Sequence, residues 1–276
     1  MLASTIIAKK RDREVLTSDE IRFMVRGLTD ASIPNYQIAA WAMAIQCRGM
    51  TVAETAALTA AMLDSGERLR REGQRPRVDK HSTGGLGDKV SLILAPLLAC
   101  FDVDVPMLSG RGLGITGGTL DKLEAFSGYR CDLSQPEINR QLESIGCVIT
   151  GTTPEIAPAD RELYRLRDVT ATVPSIPLIT SSIMSKKLAE SLDALVLDVK
   201  VGSAAFMRTL PQARALARSL VATGKRMKVR TQAFISDMNQ PLGCMVGNAC
   251  EANEAIAVLR DEGPSEVREL TVSLAE

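Results

Sequence analysis

The sequence predicts an α/β protein in which a small all-helical domain accompanies a larger domain built on a mostly parallel sheet. Three observations predict it. The first 67 residues show helix caps and helical apolar periodicity; from Pro76 onward, short β-branched runs alternate with amphipathic helical stretches; and two glycine clusters each stand between a strand-like run and a helix start. At 276 residues the chain can bury a sizeable core and form two units that need not be continuous in sequence.

Thr17 and Glu20 form a capping box, and Ile21, Met24, Val25 and Leu28 follow at i, i+3, i+4 and i+7. Pro34 opens a second helix carrying Ile38, Trp41, Ala42 and Ile45, which Gly49 ends. Thr51 and Glu54 cap a third, running to Ser65 and Gly66. These helices form a bundle whose apolar faces pack on one another, on later helices or on another subunit, so a homodimer through this domain is expected.

Strands are expected over residues 103–107, 147–150, 195–201 and 231–236, and helices over 90–101, with Pro96 tolerated as a kink, and about 158–168. This last helix and residues 185–191 are expected to return to the bundle. The helical domain is then 1–67 plus about 158–193, and the α/β domain 74–157 and 194–276. Residues 270–276 show no closing element, so the sheet is expected to be incomplete at that end.

Lys plus Arg and Asp plus Glu balance at 33 each, which argues against a polyanion-binding surface and against nucleic acid as a partner. The apolar start is too short before Lys9, Lys10 and Arg11 for a secretory signal, and no apolar run can span a bilayer. A soluble cytoplasmic protein, without membrane contact, is expected. The six cysteines form no C-x-x-C pair and read as reduced, mostly packed thiols.

Chemistry concentrates in the glycine clusters. In residues 78–91, Gly84, Gly85 and Gly87 let a backbone approach an anion, the following helix start offers free N–H groups, and Lys80, Ser82 and Ser91 add charge and donors. Chain reversal alone would also explain such a turn. A second cluster at 109–119 follows the 103–107 strand, and two such loops on one parallel sheet converge at the carboxyl edge of its strands. Neither loop has the spacing of a P-loop or a dinucleotide fingerprint, which disfavours a nucleoside triphosphate or NAD.

Together, KHSTGGLGD (80–88) and SGRGLGITGGTLDKLE (109–124) resemble the signature pair of the thymidine and pyrimidine nucleoside phosphorylase family. The likeness continues in order through LRDVTATV (166–173), ITSSIMSKK (179–187), LDVKVG (197–202) and DMNQPLG (237–243). The resemblance implies that inorganic phosphate is held by Lys80, Ser82, Ser91, Ser109 and Thr119, with N–H groups of the turn at Gly84, Gly85 and Gly87. It implies that Arg167, Ser182 and Lys186 read the pyrimidine of a nucleoside. The residue types agree, since a cation with several hydroxyls suits a doubly charged oxyanion, and Arg and Lys can stabilise charge on a departing base.

His81, the single histidine, is then either a proton donor to the pyrimidine carbonyl or an orienting residue; a lone histidine is otherwise structural. The implied reaction is phosphorolysis of thymidine through an oxocarbenium-like state, with inversion, to the free base and 2-deoxy-α-D-ribose 1-phosphate. No cofactor is required for it. The resemblance also implies a monovalent cation, potassium, on the backbone of Gly87, Lys89, Leu242 and Met245 and on the carboxylate of Glu254, which otherwise reads as part of a solvated helix face.

Three positions depart from the family pattern: Ile115 replaces a histidine, Ser127 a proline and Ala204 a glycine. Ile115 leaves thymidine against uridine open. Family members also continue past the position matching Glu276, so a truncated α/β domain is expected. The alternatives are a broader pyrimidine-nucleoside phosphorylase acting also on uridine, a related glycosyl transfer such as that of a phosphoribosyltransferase, or a non-catalytic relative that binds ligand or pairs with a full-length subunit.

Overall fold

The computed structural model describes residues 1–112 and 117–276; Ile115 lies outside the described residues. The chain begins with α1 (Ala3–Arg11), α2 (Ser18–Thr29), α3 (Asn35–Arg48) and α4 (Val52–Leu63). Next come β1 (Val78–Ser82), α5 (Val90–Ala99), β2 (Val105–Leu108), α6 (Thr119–Leu123), α7 (Gln135–Ile145) and β3 (Cys147–Thr150). The remainder is α8 (Pro158–Val169), α9 (Ile176–Ala189), β4 (Ala194–Val201), α10 (Leu210–Arg226), β5 (Arg230–Asp237), α11 (Asn248–Leu259) and α12 (Ser265–Ala275).

Two compact units result. One comprises Met1–Arg68, Pro154–Ala189 and Arg218–Val229, and the other Leu69–Thr153, Glu190–Ala217 and Arg230–Glu276. Residues 190–193 therefore fall in the second unit rather than the first, because the Glu190 carboxylate serves β2, accepting from Leu108 N at 2.9 Å. Residues 218–229 join the first, where Thr180 Oγ1 of α9 donates to Ser219 Oγ of α10 at 2.8 Å.

In the helical unit both expected capping boxes form, at Thr17 with Glu20 and at Thr51 with Glu54. Ile21, Met24, Trp41, Ile45, Leu58, Met62, Leu163 and Leu178 make its core. The unforeseen α1 turns Ala3, Ile6 and Lys10 inward, and Lys10 Nζ donates to Glu54 Oε1 at 2.7 Å. Its buried face carries a charge at the position where an apolar residue would have revealed the helix.

In the α/β unit every strand pairing is parallel: β1 with β4, β4 with β5, and β2 with β3. The expected single sheet is instead two, in orders β1-β4-β5 and β2-β3, joined by the isolated bridge of Arg77 with Asp104. The cause lies on β2. Its amides at Val105 and Ser109 go to β3 and its flank, so Pro106 and Leu108 must serve the other side. Proline has no N–H, and that of Leu108 is taken by Glu190.

α5 packs Ile93 and Ala95 with Val105, Met107, Ile149 and Val258. The end expected to lack a closing element is the helix α12, which buries Val267, Thr271 and Leu274. The thiols are free but not packed as expected: Cys47, Cys100, Cys244 and Cys250 are exposed, and Cys131 and Cys147 are half-buried. Among the described residues no helix is long and apolar enough to cross a membrane, and no cluster of His, Cys, Asp and Glu could hold a metal.

Candidate active site

In the α/β unit, β1 carries Lys80 and Ser82 on one face toward its carboxyl end, where they pair in register with Val196 and Asp198 of β4. Thr83 fastens the turn that follows, donating its amide to Asp198 O at 3.0 Å and accepting at Oγ1 from Lys200 N at 2.9 Å. Gly84 donates its N–H to Ser82 Oγ at 3.1 Å, so that one amide of the turn is already engaged. Gly87 has φ +75°, and a Cβ there would stand 2.5 Å from Leu242 O. Only glycine lets the turn close against that backbone.

Four lysines are buried here and three of them are neutralised closely. Lys122 Nζ lies 2.8 Å from Glu251 Oε2, Lys200 Nζ 2.7 Å from Asp198 Oδ2, and Lys89 Nζ hydrogen-bonds Glu254 Oε2. Lys80 differs. It is 2% exposed and its Nζ, like that of Lys200, makes no hydrogen bond among the described residues, but its carboxylate neighbour stands farther off, with Asp88 Oδ1 3.8 Å away. A buried ammonium with unfilled donors is costly unless an anion completes it. Burial pushes the Asp88 carboxyl up, but Lys80, Lys200, Lys122 and the Ser82 hydroxyl outweigh it and hold it well below the usual carboxylate range.

Ser91 sits buried in the first turn of α5, Ser109 is buried directly after β2, and Thr119, half-buried, is the first residue of α6. One carboxylate pins both ends of the second glycine loop, as Asp121 Oδ2 accepts from Gly112 N at 2.7 Å and from Gly118 N at 2.9 Å. Lys122 Nζ then donates to Asp88 O at 2.6 Å, tying α6 to the first turn. His81, half-buried, stands between Lys80 and Ser82 on β1, beside Leu197 of β4.

Sequence reasoning assigned no role to Asp88, Lys122, Asp198 or Lys200. A signal existed on β4, where Asp198 and Lys200 interrupt an apolar run at the spacing of one strand face.

In the helical unit α8 supplies Arg167, and α9 supplies Ser182 and Lys186. Lys186 Nζ donates to Ser182 O at 2.7 Å, to Ser182 Oγ at 3.1 Å and to the Asp160 carboxylate, a partner the sequence reading did not name. Arg167 is buried and donates to Thr172 O at 3.3 Å, Val173 O at 2.6 Å and Leu178 O at 3.2 Å. Burial pulls its guanidinium below the ordinary arginine value, against Asp160 and Tyr164. Two of its N–H groups remain unassigned once these three bonds are counted.

The atoms implied for a potassium ion meet an internal cation instead. Lys89 Nζ donates to Leu242 O at 2.9 Å and Met245 O at 3.0 Å as well as to Glu254, which is buried rather than part of a solvated face.

The α/β unit thus holds a buried, incompletely bonded cation behind a glycine turn, and the helical unit a polar cluster around Lys186 and Arg167. Residues 74–276 match the model of the glycosyl transferase family, a/b domain, and residues 4–66 that of the glycosyl transferase family, helical bundle domain. The chain belongs to this glycosyl transferase family. It is 51% identical over 272 residues to a pyrimidine-nucleoside phosphorylase of Geobacillus stearothermophilus, covering 98% of this chain and 62% of that one. It is likewise 51% identical over 270 residues to a pyrimidine-nucleoside phosphorylase of Bacillus subtilis (strain 168), with the same coverage. The chain thus spans 62% of the length of these relatives. The crystal structure of anthranilate phosphoribosyltransferase from Thermus thermophilus shares the fold, with a TM-score of 0.79 and 19% identity over 98% of this chain and 87% of that one.

Proposed function

We propose that the chain carries the phosphate- and base-binding residues of a pyrimidine-nucleoside phosphorylase, with thymidine as its preferred substrate. The observation that carries this reading is Lys80, a buried ammonium without a hydrogen bond behind a glycine turn. Phosphate completes its donor set, with the hydroxyls of Ser82, Ser91, Ser109 and Thr119 satisfying the remaining oxygens. The relatives' names supply the nucleoside.

The phosphate so held attacks the anomeric carbon as the glycosidic bond breaks, giving the pentose 1-phosphate with inversion. The remaining N–H groups of Arg167, with Lys186 and Ser182, take up charge on the departing base. His81 donates a proton to the pyrimidine carbonyl. We also propose that the helical unit forms a homodimer contact, since Tyr36 and Met43 stand exposed one above the other on α3.

The test is thymine release from thymidine, with and without phosphate, beside uridine and a His81→Ala control. Phosphate-dependent release, faster from thymidine and lost in the control, supports the reading. Phosphate binding without release from either nucleoside sinks it and favours a non-catalytic binder.

A further inference from the structure

Lys89 is the N-cap residue of α5 and its side chain is fully buried. A cation there opposes the positive end of the helix dipole, so its placement needs strong local compensation. Leu242 O, Met245 O and Glu254 Oε2 supply it. The Glu254 carboxylate is itself fixed by Cys244 N at 3.0 Å and Met245 N at 3.3 Å. Gly243, with φ +76°, passes so close that a Cβ would stand 2.8 Å from Nζ and 2.4 Å from Glu254 Oε2.

Two carbonyls and one carboxylate, all hard oxygen donors with a single negative charge, make the donor set of a monovalent cation. A potassium ion does not fit alongside the residues present, because an ammonium of the same charge and similar size already stands on those oxygens. The ammonium's three protons match its three acceptors.

We infer that Lys89 replaces the dissociable monovalent cation: its tethered ammonium holds the 240–247 turn against the start of α5, and the fold is independent of potassium. An ion in solution stabilises only in proportion to its concentration relative to its Kd, whereas a covalently attached cation is present at full occupancy. The inference stands apart from the proposed reaction, since it concerns only the atoms around Nζ.

The experiment is thermal unfolding of the whole chain in potassium chloride and in choline chloride at equal ionic strength. It is paired with thallium(I) NMR titration as a direct probe of monovalent-cation binding. The wild type is expected to show equal midpoints and no bound thallium. Lys89→Ala vacates the oxygens, and Lys89→Thr offers them a short hydroxyl. Both are expected to unfold earlier in choline, to recover by roughly 5–10 °C at saturating potassium, and to bind thallium. A wild-type midpoint that rises with potassium, or thallium bound by the wild type, overturns the inference. So do folded variants that bind no thallium and ignore potassium. If neither variant folds, the wild-type measurements decide alone.

Discussion

The ammonium of Lys122 donates to the backbone carbonyl of Asp88 at 2.6 Å, joining the helix after the second glycine loop to the turn that forms the first. The same ammonium neutralises Glu251, and both side chains are almost wholly buried. Lys122→Met leaves that carboxylate unpaired in the interior and should cost about 3–5 kcal/mol in urea unfolding. The double variant Lys122→Met with Glu251→Met should regain much of the loss. If the double variant is no more stable than the single one, Lys122 acts through packing and not through its charge.

Lys80→Met should behave in the opposite sense. It removes a cation that lacks a hydrogen bond, so folding stability should fall less than in Lys122→Met, while phosphate affinity drops about 10- to 100-fold. Isothermal titration with inorganic phosphate checks the affinity; an unchanged Kd would remove Lys80 from the phosphate site.

Acid stability should report Asp88. Its folded pKa lies below the unfolded value of roughly 3.9, so its charge stabilises the folded chain above that pH. The contribution is lost as pH falls from the unfolded value through the folded one. Thermal midpoints measured from neutral pH downward should therefore fall less steeply below about pH 4 in Asp88→Asn than in the wild type. Parallel curves would show that the surrounding lysines do not depend on this carboxylate.

Arg167→Lys keeps the charge but replaces a planar fork, whose three nitrogens each reach a different carbonyl, with a single ammonium nitrogen. Amide exchange over residues 172–178 should accelerate, and the KM for nucleoside should rise while phosphate binding is unchanged. Exchange rates equal to wild type would mean that the guanidinium does not organise that segment.

Alkylation should divide the thiols. Burial pushes Cys131 and Cys147 up, whereas Cys47, Cys100, Cys244 and Cys250 are exposed. Mass spectrometry of the native chain after brief iodoacetamide treatment should find the exposed group modified first; early modification of Cys147 would contradict the burial described for it.

Local signals were legible in the sequence and distant ones were not. The boxes at Thr17 and Thr51 could be read because cap and partner lie three residues apart, and β3, β4 and β5 because β-branched runs mark strands. α1 was hidden by Lys10, whose inward charge is explained only by Glu54, 44 residues away. α12 was hidden by Thr271, a polar residue on the buried face whose hydroxyl bonds Val267 O within the helix. At the site, the residues proposed for phosphate and base could be named from motifs, but Asp160 as the partner of Lys186, and Leu242 and Glu254 as partners of the Lys89 ammonium, emerge only once the chain is folded. Those lysine contacts span 153 and 165 residues.

The depth of Lys80 decides how salt should act on the chain. Mobile ions weaken attraction at an open surface within a Debye length of about 8 Å, yet they screen a cation at 2% exposure far less. Sodium chloride should therefore do little to the proposed hold on phosphate, while tetrahedral oxyanions such as sulfate or arsenate should compete directly. Discrimination would then follow from the shape and hydrogen-bonding pattern of the anion, and not from bulk ionic strength.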